Sequence, residues 1–195
     1  IAEGCRYTRN RLRYFFQIFS LAAACQIVYF LVDGSLDMSI LVTFSCSILM
    51  IFALQKMKEA FLAGGSDKFF WLLVFVSCVA GVYILNRLLV IDYGFWGCML
   101  PVFAGACYMP QNAPAQLKKW HNKWVSLLCF AVGLSLLILF DDYAEVQVYC
   151  LLALPLLSLY SGKRGKWKLR YFFYLFYPIH LALLEGIYQL VMMYA

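Results

Sequence analysis

Residues 69–91 read FFWLLVFVSCVAGVYILNRLLVI, a run in which Arg87 is the single charged side chain. About 20 mostly apolar residues suffice to cross roughly 30 Å of hydrocarbon. Lipid offers backbone N–H and C=O groups no partner, so such a run has to be a helix. Working outward, similar runs occupy residues 38–55 and 93–109, then 12–32, 124–140, 146–160 and 171–194. The whole 195-residue chain agrees: 65% of it is hydrophobic and 13% charged, against about 45–50% apolar and 25% charged in soluble domains. Its mean hydropathy is +0.78. This composition excludes a soluble enzyme, a disordered chain, a collagen and a disulfide-stapled mini-protein. The expectation is an all-α, multi-pass transmembrane helical bundle with about seven spans, forming a single domain over residues 1–195. The runs at 93–109, 124–140 and 146–160 are short and call for local bilayer thinning or shelter inside the bundle.

The charges test that count. With the N-terminal end in the cytoplasm, the inner joints hold Arg6, Arg9, Arg11, Arg13, Lys56, Lys58, Lys68, Lys118, Lys119, Lys123, Lys163, Arg164, Lys166, Lys168 and Arg170, which is 15 of the 16 basic residues. The outer joints hold Asp33, Asp37, Asp92, Asp141, Asp142 and Glu145 and no basic residue. An excess of Lys and Arg on the cytoplasmic side is the expected bias, so the predicted topology is N-terminus inside and C-terminus outside. The net charge of +6 is spread over these short joints rather than over one basic face, so nucleic acid is not an expected partner. The eight cysteines form no C-x-x-C pair, and nearly all lie in apolar runs. They read as small packing hydrophobes rather than metal ligands or disulfides, and no metal centre is expected. The chain starts at Ile1, with no signal peptide in view, and is expected to be the downstream part of a longer protein.

Four groups of residues carry possible chemistry. In Glu3-Gly4-Cys5-Arg6-Tyr7-Thr8-Arg9-Asn10-Arg11-Leu12-Arg13, a continuous helix would align Arg6, Arg9 and Arg13 on one face with Glu3 one turn before Arg6. Guanidinium forks bind phosphate oxygens bidentately, so the stripe suits a phosphorylated cofactor. It equally suits an anchor on anionic lipid headgroups. In Tyr171-Phe172-Phe173-Tyr174-Leu175-Phe176-Tyr177-Pro178-Ile179-His180-Leu181, Pro178 provides no N–H to the Tyr174 carbonyl, so a kink is predicted there. His180, nine residues past Tyr171 at about 1.5 Å each, sits roughly 14 Å deep. An ionisable side chain near the midplane is a functional candidate; its bland alternative is a neutral histidine bonded to a tyrosine or a freed carbonyl. Arg87, beside Asn86, can pair with Asp92 or Glu185. His121 lies in a basic joint. No Walker loop, G-x-G-x-x-G, H-E-x-x-H or G-x-S-x-G element occurs.

Three of these stretches resemble the TraX family of conjugative-transfer membrane proteins. The first is Glu3-Gly4 followed by Thr8-Arg9-Asn10, and the second is Asp92-Tyr93-Gly94-Phe95-Trp96-Gly97. The third is Tyr160-Ser161-Gly162-Lys163-Arg164-Gly165 with Tyr177-Pro178-Ile179-His180-Leu181, the most specific of the set. The resemblance implies a multi-pass acyltransferase of the bacterial cytoplasmic membrane that takes acetyl from acetyl-CoA. The acceptor it implies is a pilin-like peptide amine, or a glycan or lipid-linked hydroxyl outside the cytoplasm. On this resemblance Arg6, Thr8, Arg9 and Asn10 are expected to bind the acyl-CoA, and Glu3, Tyr177 and His180 to serve catalysis. An oxyanion donor is expected from Tyr177, Tyr174 or Asn86. The family's first span carries Asp-His-Ile-Gly, and no Asp-His pair occurs in this sequence, so that element is expected upstream of Ile1. The rival expectations are a transporter or channel lined by His180, Arg87 and Glu185, and a non-enzymatic assembly scaffold.

Overall fold

The computed structural model describes residues 1–34, 38–110, 113–114, 122–140, 144–160 and 170–194. Its helices are α1 (Ala2–Tyr7), α2 (Arg11–Asp33), α3 (Ile40–Ala63), α4 (Lys68–Leu88), α5 (Gly94–Ala106), α6 (Lys123–Phe140), α7 (Ala144–Gln147), α8 (Ala153–Ser158) and α9 (Arg170–Tyr194), with a 3-10 turn at Val148–Leu152 between α7 and α8. No strand occurs among the described residues; Met38 and Ile91 make an isolated parallel bridge. The chain falls into two compact units, Ile1–Leu159 and Tyr160–Ala195. The fold class is all-α, as expected.

Three helices are long and apolar enough to cross a membrane among the described residues: α3 with 24 residues, α4 with 21 and α6 with 18. α2 and α9 have the length, at 23 and 25 residues. The run expected at 93–109 is a 13-residue helix, which at about 1.5 Å per residue reaches roughly 20 Å. The run expected at 146–160 is not one helix either. Pro155 has no N–H to offer the Leu151 carbonyl, and the turn before it tightens to 3-10 geometry, with the Ala153 N–H directed at the Cys150 and Leu151 carbonyls. The lengths thus differ from an even set of seven crossings at these two places.

α3 is the centre of the first unit and packs against α2, α4 and α5. Leu41, Thr43, Ser45, Cys46, Ser47, Ile48, Met50 and Ile51 on it are all buried. The hydroxyls among them are spent on backbone. Ser47 Oγ lies 2.9 Å from the Thr43 carbonyl and 2.7 Å from the Cys98 carbonyl and shares its one proton between them, Ser45 Oγ donates to the Leu41 carbonyl at 2.9 Å, and Thr43 Oγ1 donates to the Asp92 carbonyl at 2.7 Å. Two of these bonds cross from α3 to the start of α5 and its approach, each contributing about 0.6–1 kcal/mol net. α5 and α6 lie close: a Cβ on Gly133 of α6 would stand 3.0 Å from Phe103 Cβ and 3.1 Å from Leu100 Cδ1. Small residues let helix backbones approach in this way where lipid gives no hydrophobic incentive to associate.

Candidate functional site

The chain breaks between α1 and α2, and that break decides what the first motif can do. Thr8 is extended at φ −74°, ψ 131°, and Asn10 at φ −112°, ψ 98°. Asn10 Oδ1 accepts the Arg13 backbone N–H at 2.9 Å, the bond of an N-cap, and Thr8 Oγ1 donates to the Asn10 carbonyl at 3.3 Å. An Asn cap is worth about 1 kcal/mol to the helix that it starts. The continuous helix expected through residues 3–13 is therefore not formed. Arg6 ends one helix, Arg9 lies in the turn and Arg13 opens the next, so the three do not share a helix face. Arg9 is exposed in that turn, whereas the Thr8 hydroxyl and the Asn10 amide oxygen are engaged inside it.

The short α1 holds the most concentrated polar chemistry in this unit. Tyr108, just beyond the end of α5, donates its hydroxyl to Glu3 Oε1 at 2.6 Å. The Arg6 guanidinium reaches the same oxygen at 3.6 Å and lies over the Tyr108 ring at 4.9 Å and the Tyr7 ring at 5.0 Å. The other carboxylate oxygen, Glu3 Oε2, is buried with no hydrogen-bond partner among the described residues. Unsatisfied buried acceptors cost about 1–3 kcal/mol or more when charged, and most buried polar atoms have a partner; Arg11 Nη1 and Ser39 Oγ are two others without one among the described residues. Gly4 fits this corner by its lack of a side chain: a Cβ there would fall 2.3 Å from the Tyr14 hydroxyl. Cys5 beside it is 2% exposed, and burial pushes its thiol up to about 12, so it packs as a neutral thiol.

Behind α1, the basic residues at the end of α3 are paired rather than presented to a ligand. Glu59 bonds Arg11 at 2.8 Å through Oε1 and Lys56 at 2.9 Å through Oε2, and the Arg11 guanidinium lies 5.7 Å from the Phe52 ring centre. The Lys58 ammonium bonds the Ala106 carbonyl and, at 3.1 Å, the Tyr108 carbonyl, so it ties α3 to the end of α5. Glu59→Gln should lower stability by about 1 kcal/mol, because the pair is about one-third exposed and solvent screens it. A thermal melt checks this, and the loss should shrink in high salt.

The second motif is a corner. Tyr93 is the one non-glycine residue with positive φ among those described, at 61°, and Gly94 follows at 58°. Two successive left-handed residues reverse the chain into α5. The Thr43 hydroxyl fixes the Asp92 carbonyl, and the Asp92 N–H donates to the Met38 carbonyl at 3.1 Å. Gly97 lies against the Tyr93 Cβ, where any added Cβ would come to 2.3 Å. The Tyr-Gly-x-x-Gly pattern is thus an architectural element of the first unit. Asn86, expected as an oxyanion donor, has its amide near Gly94: a Cβ on that glycine would lie 3.7 Å from Asn86 Oδ1. Arg87 sits exposed in the last turn of α4, where its charge suits the helix dipole. No ion pair to it is found among the described residues.

In the second unit, α9 runs without interruption through Pro178. His180 Nδ1 lies 2.9 Å from the Phe176 carbonyl, one turn back, and its ring stacks on that of Phe176 at 5.1 Å and 16°. A carbonyl can only accept, so Nδ1 is the donor of this bond and carries a proton. The side chains of Tyr174, Tyr177 and Glu185, and all of His121, lie outside the described residues. Glu3 with Arg6 belongs to one compact unit and His180 to the other.

Tyr108 and Glu59 are the polar partners that the sequence did not announce. Tyr108 is 105 positions from Glu3 and carries no motif. Glu59 is the one acid on α3, close to Lys56 and Lys58, and that isolation was a signal to pair it. The fold also brings Cys107 Sγ to 3.1 Å from Cys129 Sγ, neither of them in a disulfide. No cluster of three metal-ligating side chains occurs among the described residues.

Among known families, the one described as TraX protein matches residues 1–188. No curated protein and no solved structure matches the chain.

Proposed function

Given that the chain belongs to the TraX family, we propose that this membrane protein is an acyltransferase. In this reading it moves acetyl from acetyl-CoA to the N-terminal amine of a pilin-like peptide, or to another extracytoplasmic acceptor. It would do so in the bacterial cytoplasmic membrane, with its N-terminal end inside, C-terminus outside and about seven crossings. The acceptor nitrogen would form a bond to the thioester carbonyl carbon, the C–S bond would break with its electron pair leaving on the CoA sulfur, and the nitrogen would give up a proton. Two groups suit that proton. His180 would act as the neutral imidazole, with Nδ1–H on the Phe176 carbonyl and Nε2 as the accepting atom. Glu3 offers a buried carboxylate oxygen that nothing among the described residues satisfies, and this is the observation that carries the reading.

For the CoA phosphates the exposed guanidinium of Arg9 is the fitting group; Arg6, already beside Glu3 and over the Tyr7 and Tyr108 rings, would add only its remaining N–H donors. Bidentate charge-assisted bonds from arginine are the usual solution for phosphate oxygens. Arg11, held by Glu59, is not available in the same way.

The test is thermal stabilisation of the purified protein in nanodiscs. Saturating acetyl-CoA at about 100 times its Kd should add about 2.7 kcal/mol to the folded state. Arg9→Ala should lose most of that gain and keep the unliganded melting temperature. Equal melts with and without acetyl-CoA in a cooperatively folded sample would refute acetyl-CoA as the donor.

A further inference from the structure

Tyr108 is a tyrosine at the end of a short helix, distant in sequence from every motif, yet it makes the shortest side-chain contact to Glu3. It is 9% exposed, and three elements fix it in place. Its backbone carbonyl accepts from Lys58 of α3 and its N–H donates to the Gly105 carbonyl. The Arg6 guanidinium of α1 covers its ring at 4.9 Å. A carboxylate oxygen can only accept, so the Tyr108 hydroxyl carries the proton of this bond and is its donor. Carboxylate oxygens Oε1 and Oε2 are then unequal: Oε1 has Tyr108 and Arg6, and Oε2 has nothing among the described residues.

We propose that Tyr108 is a positioning residue. With Arg6 it pins Glu3 Oε1, fixing the carboxylate rotamer so that Oε2 is turned inward as the proton-accepting oxygen. Arg6 thereby acts as a second clamp on Glu3 as well as a positive charge at the site. This rests on Glu3 serving the acetyl transfer proposed above. A fixed carboxylate gains rate through orientation, because the accepting oxygen need not be found by rotation in each turnover.

Tyr108→Phe removes the hydroxyl and keeps the ring beneath Arg6. It should lower kcat for acetyl transfer about 10- to 100-fold with the KM for acetyl-CoA unchanged. In a Glu3→Gln background the same substitution should cause no further loss, since the hydroxyl acts through the carboxylate. An unchanged kcat, or losses that multiply in the double variant, would overturn the positioning role. A wild-type protein that transfers no acetyl would overturn the function itself, an outcome seen before any variant is compared.

A second measurement needs no turnover and no folded Tyr108 variant. With tyrosines labelled at the ring Cζ, the Tyr108 NMR resonance should differ between wild type and Glu3→Gln at neutral pH, because its hydroxyl exchanges a carboxylate acceptor for a neutral amide. Identical positions would show that the two groups do not meet, and would overturn the proposal.

Discussion

His180→Ala is expected to lower acetyl transfer by about 100- to 10,000-fold where the imidazole, and not Glu3, takes the amine proton, the range that a positioned general base supplies. The reason is local to α9. The Phe176 carbonyl takes the Nδ1 proton at 2.9 Å, and the Phe176 ring stacks on the imidazole. Together these fix both the tautomer and the ring plane, which a base needs and a merely satisfied histidine does not exploit. His180→Gln offers a control, since its amide can still bond a carbonyl but cannot take a proton. Rates should fall equally in both variants while stabilisation by acetyl-CoA persists, because the arginines that would bind CoA lie on α1 and the following turn. If either variant keeps more than half of the wild-type rate, His180 is the satisfied core histidine that its Phe176 bond also permits.

Gly97→Ala should be the most damaging single-methyl substitution in the first unit, at about 3 kcal/mol, the upper end of ordinary overpacking costs. The added Cβ would stand 2.3 Å from the Cβ of Tyr93. That is an atom on a backbone already held at φ 61°, not the free end of a side chain. Relief requires moving the corner, and the corner is tied to α3 through the Thr43–Asp92 bond and to residue 38 through backbone bonds. Loss of cooperative thermal unfolding, or a melting temperature several degrees lower, is the expected readout. A Gly97→Ala variant that melts as wild type would mean that α5 can slide without cost.

Much of the fold was legible because apolar runs of about 20 residues admit one conformation in lipid. α4 and α6 follow from residues 69–91 and 124–140 nearly end for end, whereas α3 begins near the start of 38–55 and runs on to Ala63, through the polar stretch with Lys56, Lys58 and Glu59. The segments that departed, residues 93–109 and 146–160, carry proline and are among the shorter runs. Pro155 broke the run at 146–160 in a way that hydropathy does not register, since a proline is as compatible with an apolar average as with a turn. At the candidate site the outcome was uneven. Glu3, Arg6 and His180 stand out by their chemistry, and the fold gives Glu3 and Arg6 shared surroundings. The helical alignment of Arg6, Arg9 and Arg13 failed because periodicity assumes continuity, and Thr8 and Asn10 are good residues for ending one helix and capping the next. That capping signal was present in Thr8-Arg9-Asn10 and outweighs the arginine spacing. Tyr108 was not legible, because a contact between residues 3 and 108 depends on how α1 packs against α5.

The most direct test of acyl transfer supplies the native-length protein in nanodiscs with acetyl-CoA labelled in its acetyl group and a pilin-like peptide bearing a free N-terminal amine. Mass spectrometry of the peptide and thiol release from CoA are followed together. The expected result is label on the α-amine in step with free CoA, one for one. Neither label nor CoA at millimolar acetyl-CoA, in protein that unfolds cooperatively, would contradict acyl transfer and favour a proton or solute pathway through α9.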